Sequence, residues 1–311
     1  MPSAEEENPA TMRRVFTAPA IVVNPSKFDD PQAQRKAITS SMMEVGLPAP
    51  AWLETTEADP GRSQTLKAVQ DGADVVLACG GDGTVRACAA ALSGGRVSLA
   101  ILPAGTGNLL ARNLSIPTDL NAALQVVANG AQRQIDVPAL DGEPFVVMAG
   151  SGFDALLFER TSEGLKGRIG WAAYAVAGLR AMRAVEATRL TLVVDGRTKV
   201  LAGIGVIVGN VGTLTGGMTL LPEAEPDDGL LDVAILTPQR LRHWAGLSVN
   251  VLAGRHPSPW QLVTRRSSQI DVSWPHPVPV ELDGDLVEPA AHLSYTVNVG
   301  ALDVCVPTFT T

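Results

Sequence analysis

Asp74-Val75-Val76-Leu77-Ala78-Cys79 runs straight into Gly80-Gly81-Asp82-Gly83-Thr84, and Val85 to Leu92 follows with a helical pattern. The first six residues are a short, nearly continuous apolar run, the mark of a strand covered on both faces. The glycines break that strand, and the residues after them turn the chain into a helix. A strand, a glycine turn and a helix in immediate succession form the repeating unit of a parallel α/β sheet, so this stretch decides the fold of the first third.

The same alternation extends to either side. Ala20-Ile21-Val22-Val23 predicts a strand, Pro31 to Val45 and Thr65 to Asp71 predict helices, Ser98-Leu99-Ala100-Ile101-Leu102 predicts another strand, and Asp119 to Asn129 another helix. Past Asp136 the pattern changes to strand-like runs: Phe145 to Met148, Arg189 to Val194, Lys199 to Val208, Leu231 to Leu236, Ile270 to Trp274 and Val278 to Leu282. Asp-Gly pairs at Asp141-Gly142, Asp195-Gly196 and Asp283-Gly284 punctuate them and signal tight hairpins. One helical interruption is expected at Gly170 to Val185. The expected architecture is an α/β nucleotide-binding domain with a parallel sheet, followed by an antiparallel β-sandwich domain.

A chain of 311 residues exceeds what one core usually organises, which agrees with two domains. Its 46% hydrophobic and 18% charged residues are those of a globular protein. A net charge of -8 argues against a nucleic-acid surface, which needs a concentrated field of Lys and Arg. Cys79, Cys88 and Cys305 have no paired spacing and read as small core residues in a reducing compartment. The four histidines match no transition-metal ligand pattern. Met1 to Thr11 is acidic where a signal peptide would be basic, and no apolar run approaches the roughly 20 residues of a membrane span.

Chemistry concentrates at three strand ends. Gly80 to Thr84 puts backbone amides and a helix N-terminus where an anion can sit, and Asp82 is suited to orienting a hydrated Mg²⁺. Read alone, this loop also fits a tight turn with a capping Asp. Pro103-Ala104-Gly105-Thr106-Gly107-Asn108 repeats the arrangement after the next strand, and Asn24-Pro25-Ser26-Lys27 ends the first. Such ends lie side by side at the carboxyl edge of an open sheet, where these folds bind ligands. No G-x-x-x-x-G-K-[ST] loop is present, and Gly150 to Ala155 matches a dinucleotide fingerprint without the βαβ unit that would give it meaning.

In order along the chain, Asn24-Pro25, Gly80 to Thr84, Pro103 to Asn108, Gly152-Phe153-Asp154-Ala155, Asp227 to Asp232 and Glu281-Leu282-Asp283-Gly284-Asp285 make the chain resemble the bacterial diacylglycerol kinases and related lipid kinases, from about Val15 to Val306. The resemblance implies a domain at 15–135 rejoined by 299–311, a lipid-substrate domain at 136–298, and a disordered 1–14. It implies ATP in the cleft between the domains, with contacts on Asn24, Pro25, Ser26, Lys27, Phe28, Thr56, Gly81, Asp82, Gly83, Thr84, Val85, Arg86, Ala87, Gly105 and Thr106. A structural Mg²⁺ maps to Glu225, Asp228 and the carbonyl of Leu230, although Asp227-Asp228-Gly229 also reads as a solvated turn.

The family's acceptor-activating base falls on Asp285, one methylene shorter than the usual Glu, and Leu109 stands where many relatives carry an Asp. These departures leave Asp82 and Asp285 as the expected catalytic pair. The expected substrate is a lipid alcohol, reached by transient peripheral contact of a cytoplasmic protein with the inner membrane face. Arg160, Lys166, Arg168, Arg180 and Arg183, with Arg240, Arg242, Arg255, Arg265 and Arg266, are either docking charges for anionic headgroups or ordinary solvated arginines. An NAD kinase and a catalytically silent nucleotide or lipid binder are the rival readings, and a homodimer is left open.

Overall fold

The computed structural model describes residues 15–152, 187–214, 219–236 and 262–308. The helix expected at Gly170 to Val185, the end of the Gly150 to Ala155 match and the 1–14 segment lie outside the described residues, as do all the basic residues weighed as docking charges except Arg265 and Arg266. The chain divides into two compact units, Met1–Ile135 with Gly300–Thr311, and Asp136–Val299.

In the first unit β1 (Pro19–Val23), β2 (Ala51–Glu54), β3 (Val75–Gly80) and β4 (Ser98–Pro103) form a parallel sheet in the order β2-β1-β3-β4. Ile21 lies opposite both Trp52 and Leu77, and Leu77 opposite Ala100. Every residue of β1, β3 and β4 is buried, as continuous apolar runs require. The last strand of the chain adds to β4 in parallel through Val304 and Leu99.

The helices are α1 (Pro31–Glu44), α2 (Arg62–Gln70), α3 (Asp82–Leu92), α4 (Leu109–Asn113) and α5 (Leu120–Asn129). Asp30 caps α1 by accepting from the amide of Ala33 at 2.9 Å, and Asp119 caps α5 by accepting from Ala122 at 2.9 Å. Ile38 and Met42, one turn apart, are the buried positions of α1. β2 is absent from the reading above because Ala-Trp-Leu-Glu is short and wholly exposed or half-buried, so it carries neither a long apolar run nor a clean alternation. It is an edge strand, fixed by pairing with β1.

β5 (Ala131–Leu140), β6 (Glu143–Pro144), β7 (Met148–Gly152), β8 (Thr188–Val194), β9 (Arg197–Gly203), β10 (Gly205–Gly209), β11 (Leu231–Leu236), β12 (Leu262–Ser267), β13 (Gln269–Leu282) and β14 (Asp285–Val306) complete the chain. In the second unit the antiparallel order is β12-β11-β10-β7-β13-β14, with β8 on β13 and β9 on β8. Phe145, Leu190, Val206, Val233, Val280 and Tyr295 belong to its core. Asp141, Asp195 and Asp283 have φ of 49°, 51° and 50°, and the glycine after each is also positive, the geometry of two-residue primed hairpin turns.

Four expected runs are redrawn. Lys199 to Val208 is two strands, broken at Ile204. Ile270 to Trp274 and Val278 to Leu282 join into the single β13, with register shifts between Ser273 and Val278 and between Val278 and Val280. Phe145 to Val147 precede β7 instead of forming it, because the amides of Val146 and Val147 bond to a side chain.

Candidate active site

Four ends of the parallel strands come together in the first unit. At β1, the amide of Asn24 donates to the carbonyl of Cys79 at 2.9 Å, and Asn24 Oδ1 accepts from the amide and hydroxyl of Ser26 at 3.1 and 2.7 Å. Pro25 sets the one-turn 3₁₀ helix Pro25–Lys27 that follows. Lys27 reaches Gly81: a Cβ built on that glycine would lie 4.0 Å from Lys27 Cε.

The end of β3 differs from the expected five-residue loop. Gly80 closes the strand, Gly81 is the helix N-cap, and α3 already begins at Asp82. The helix therefore starts three residues earlier than Val85, and the turn shrinks to one residue. A Cβ on Gly80 would sit 2.6 Å from the Thr84 hydroxyl, so only glycine permits this junction. No side chain caps α3, in contrast to α1 and α5. Its N-cap, Gly81, makes no side-chain cap bond, and the positive end of the helix dipole lies at this strand end.

The loop after β4 is locked to that junction. Ala104 donates to the carbonyl of Gly80 at 2.8 Å. A Cβ on Gly105 would meet Gly81 Cα at 2.6 Å, so the two loops touch backbone to backbone. Asn108, buried and left-handed at φ 50°, ψ 47°, folds the loop over itself, accepting from the amide of Gly105 at 3.0 Å and donating to its carbonyl at 2.8 Å. Asp82 holds the far end: Oδ2 accepts from the amide of Asn108 at 2.9 Å, and Oδ1 from the amide of Leu109 at 2.6 Å. The carboxylate expected to face a metal ion therefore caps α4, across from its own helix. Leu109, where an acidic side chain was expected to matter, contributes its main-chain amide.

At the end of β2, Thr55 donates to the carbonyl of Val23 at 2.8 Å. Thr56, exposed, is set by Asp59, whose amide donates to Thr56 Oγ1 at 3.1 Å. The Asp59 carboxylate accepts from the amides of Gly61 and Arg62 at 3.0 and 2.9 Å and from the Ser63 hydroxyl. The Ser63 bond first, and the amides with it, hold the Asp59 carboxyl below the usual range despite some opposing desolvation. Asp59 was not among the expected site residues; its signal was an acidic residue two positions before a helix-starting glycine.

The remaining expected residues belong to the second unit. Asp285 is exposed and opens β14 opposite Leu282. Two residues that were not among the expected site residues build its turn. Asp283, 6% exposed, accepts from the amides of Val146, Val147 and Met148 at 2.9, 2.8 and 3.0 Å. Glu281, fully buried, accepts from the amide of Gly284 at 2.6 Å. Glu225 and Asp228 are exposed and Leu230 half-buried, and among the described residues no group of three acidic, His or Cys side chains converges as a metal cage. Asp228 is instead engaged by Arg266, which also donates from Nε to Asp232 at 3.1 Å. Arg266 is thus paired with two carboxylates of its own unit, while Arg265 is exposed.

With this geometry in view, residues 21–140 match the diacylglycerol kinase catalytic domain, and residues 147–306 match the YegS C-terminal NAD kinase beta sandwich-like domain. The chain belongs to the lipid kinase family that joins these two domains. It is 37% identical over 256 residues to a Pseudomonas aeruginosa (strain UCBPP-PA14) protein named "Probable lipid kinase YegS-like", covering 81% of this chain and 83% of that one. It is 30% identical over 240 residues to a diacylglycerol kinase of Mycobacterium tuberculosis (strain H37Rv), covering 75% and 77%. A crystal structure of a diacylglycerol kinase from Bacillus anthracis str. Sterne superposes with a TM-score of 0.71 at 19% identity over 94% of this chain and 98% of that one, a likeness of fold.

Proposed function

We propose that this protein transfers the γ-phosphate of Mg-ATP to a hydroxyl of a lipid such as diacylglycerol. One observation carries the reading: the N-terminus of α3 has no capping side chain, and the Gly105 loop and the Lys27 stem lie against its N-cap. First-turn amides, a helix dipole and an ammonium group together suit a polyphosphate. Thr106, exposed on the second loop, and Thr56, held by Asp59, extend the polar rim on either side.

Phosphoryl transfer asks a protein mainly to position oxygens and to balance charge. When bound, Mg²⁺ supplies further charge neutralisation at the β- and γ-phosphates. Asp82 works by fixing the second glycine loop against the first, so that the amides of both are set before the nucleotide arrives. Asp285 receives or orients the proton of the acceptor hydroxyl. Its shorter side chain brings the carboxylate to within about 3 Å only if the Asp283 and Gly284 turn is rigid, and the bonds from Asp283 and Glu281 make it so.

A transient contact of the protein with the inner membrane face would present that lipid hydroxyl, since among the described residues no helix is long and apolar enough to cross a bilayer. The deciding experiment is transfer of labelled γ-phosphate from ATP to diacylglycerol, monoacylglycerol, phosphatidylglycerol, a sphingoid base and NAD. Labelling of a glycerolipid alone supports the proposal. Labelling of NAD alone, or nucleotide binding without transfer to any acceptor, rejects it.

A further inference from the structure

The turn from Pro226 to Leu230 is where the family resemblance places a structural Mg²⁺, and its donors are already committed. The Asp228 carboxylate accepts from the amide of Leu230 at 3.0 Å through Oδ1 and meets the Arg266 guanidinium through Oδ2. Asp136, fully buried, accepts from the amide of Gly229 at 2.7 Å, and its own amide donates to the carbonyl of Pro226 at 2.6 Å. Arg266 lies directly across from Asp232 in the pairing of β11 with β12, and Asp232 is 3% exposed. One guanidinium therefore spans two carboxylates, one at the turn and one in the sheet.

A hard divalent cation asks for about six oxygen ligands. Here Glu225 is exposed, and the Asp228 carboxylate is paired with an arginine. A guanidinium is permanently charged, planar and able to address two acceptors at once, which an ammonium group or a hydrated ion does less well. The residues present do not fit a divalent ion at this turn.

We infer that in this protein the Arg266 side chain takes the place of a structural divalent cation, tying the Asp228 turn to Asp232, so that the second unit holds its turn without metal. This goes beyond the kinase reading and does not depend on it. A buried or half-buried carboxylate pair would otherwise repel, and a guanidinium fixed by the register of β12 removes the repulsion without any ion to lose.

Thermal unfolding of the nucleotide-free full chain tests this, in EDTA and in millimolar Mg²⁺, for the wild type, Asp228→Asn and Arg266→Gln, together with Mn²⁺ binding followed by electron paramagnetic resonance. The wild type is expected to keep the same Tm with and without Mg²⁺ and to show no Mn²⁺ binding that Asp228→Asn abolishes. Arg266→Gln is expected to lower Tm by about 4 °C or more in EDTA. A Mg²⁺-dependent rise in wild-type Tm that Asp228→Asn removes would overturn the inference, as would an Asp228-dependent Mn²⁺ signal. An unchanged Tm in Arg266→Gln would overturn it as well. Should that variant fail to fold, the wild-type and Asp228→Asn arms decide alone.

Discussion

The carboxylate of Asp82, in the first turn of α3, accepts a hydrogen bond from the amide of Leu109, at the start of α4, at 2.6 Å. Its other oxygen takes the amide of Asn108, so one side chain closes the second glycine loop from outside. Asp82→Asn would turn an amino group toward one of those donors. We expect a stability loss of about 1 kcal/mol, from one part-buried donor left unpaired, and a fall in lipid phosphorylation of roughly a hundredfold. Urea unfolding and steady-state transfer measured on the same preparation check both. Near-normal turnover in a folded variant would show that the second loop needs no such clamp.

Gly105 rests on Gly81. A methyl at Gly105 would lie 2.6 Å from Gly81 Cα, and neither backbone has a flexible end to yield. Gly105→Ala is expected to separate the loops and weaken ATP binding by at least about tenfold, roughly 1.4 kcal/mol. Calorimetric titration of ATP reads the effect directly. Wild-type affinity would mean the two loops do not act as one surface.

Asp283 and Asp285 stand two residues apart and divide structure from chemistry. Asp283→Ala would leave three buried amides without their acceptor and is expected to cost about 3 kcal/mol or more. Asp285→Asn, at an exposed position, is expected to change stability by about 0.5 kcal/mol or less while lowering kcat about a hundredfold or more. Unfolding midpoints and turnover for the two variants should therefore move in opposite patterns. Turnover retained in Asp285→Asn would remove that residue from the reaction.

Burial pushes the thiols of Cys79 and Cys88 up to about 12 each. At pH 8 only about one molecule in ten thousand then carries either thiolate, so a thiol reagent should label them in the native protein only after unfolding. The sign of the linkage follows: these groups bind their protons more tightly when folded. Their share of stability is complete below the unfolded value of about 9 and declines as pH rises toward about 12. Rapid labelling in native buffer would contradict the packing of β3 against α3.

Asp59 runs the opposite way. Its folded value is depressed, first by the Ser63 hydroxyl, so its contribution is present above the unfolded value near about 3.9 and is lost as pH falls through the folded one. Asp59→Asn is expected to flatten the acid limb of stability and to loosen Thr56. Melting curves collected from neutral to acid pH would show it, and an identical acid limb in both proteins would rule the assignment out.

Much of this arrangement was legible from residue patterns. The apolar runs at Ala20 to Val23, Asp74 to Cys79 and Ser98 to Leu102 named the buried strands of the parallel sheet, because a strand covered on both faces tolerates no polar alternation. The Asp-Gly pairs named three hairpin turns, since few other dipeptides accept positive φ twice in succession. The ordered motifs indicated the lipid kinase family, which the matching domains show. What stayed hidden involves partners far apart in sequence: β2 on β1, the Asp82 clamp 27 residues from Leu109, and the Asp283 anchor 136 residues from Val147.

By itself, then, the sequence determined which backbone stretches can reach a phosphate, because glycine spacing and helix starts are local properties of the chain. Only the tertiary structure decided what the acidic side chains do. A carboxylate goes to the nearest unpaired donor or cation that folding brings within reach. For Asp82 that is a neighbouring loop, for Asp283 three consecutive amides, and for Asp228 an arginine on another strand.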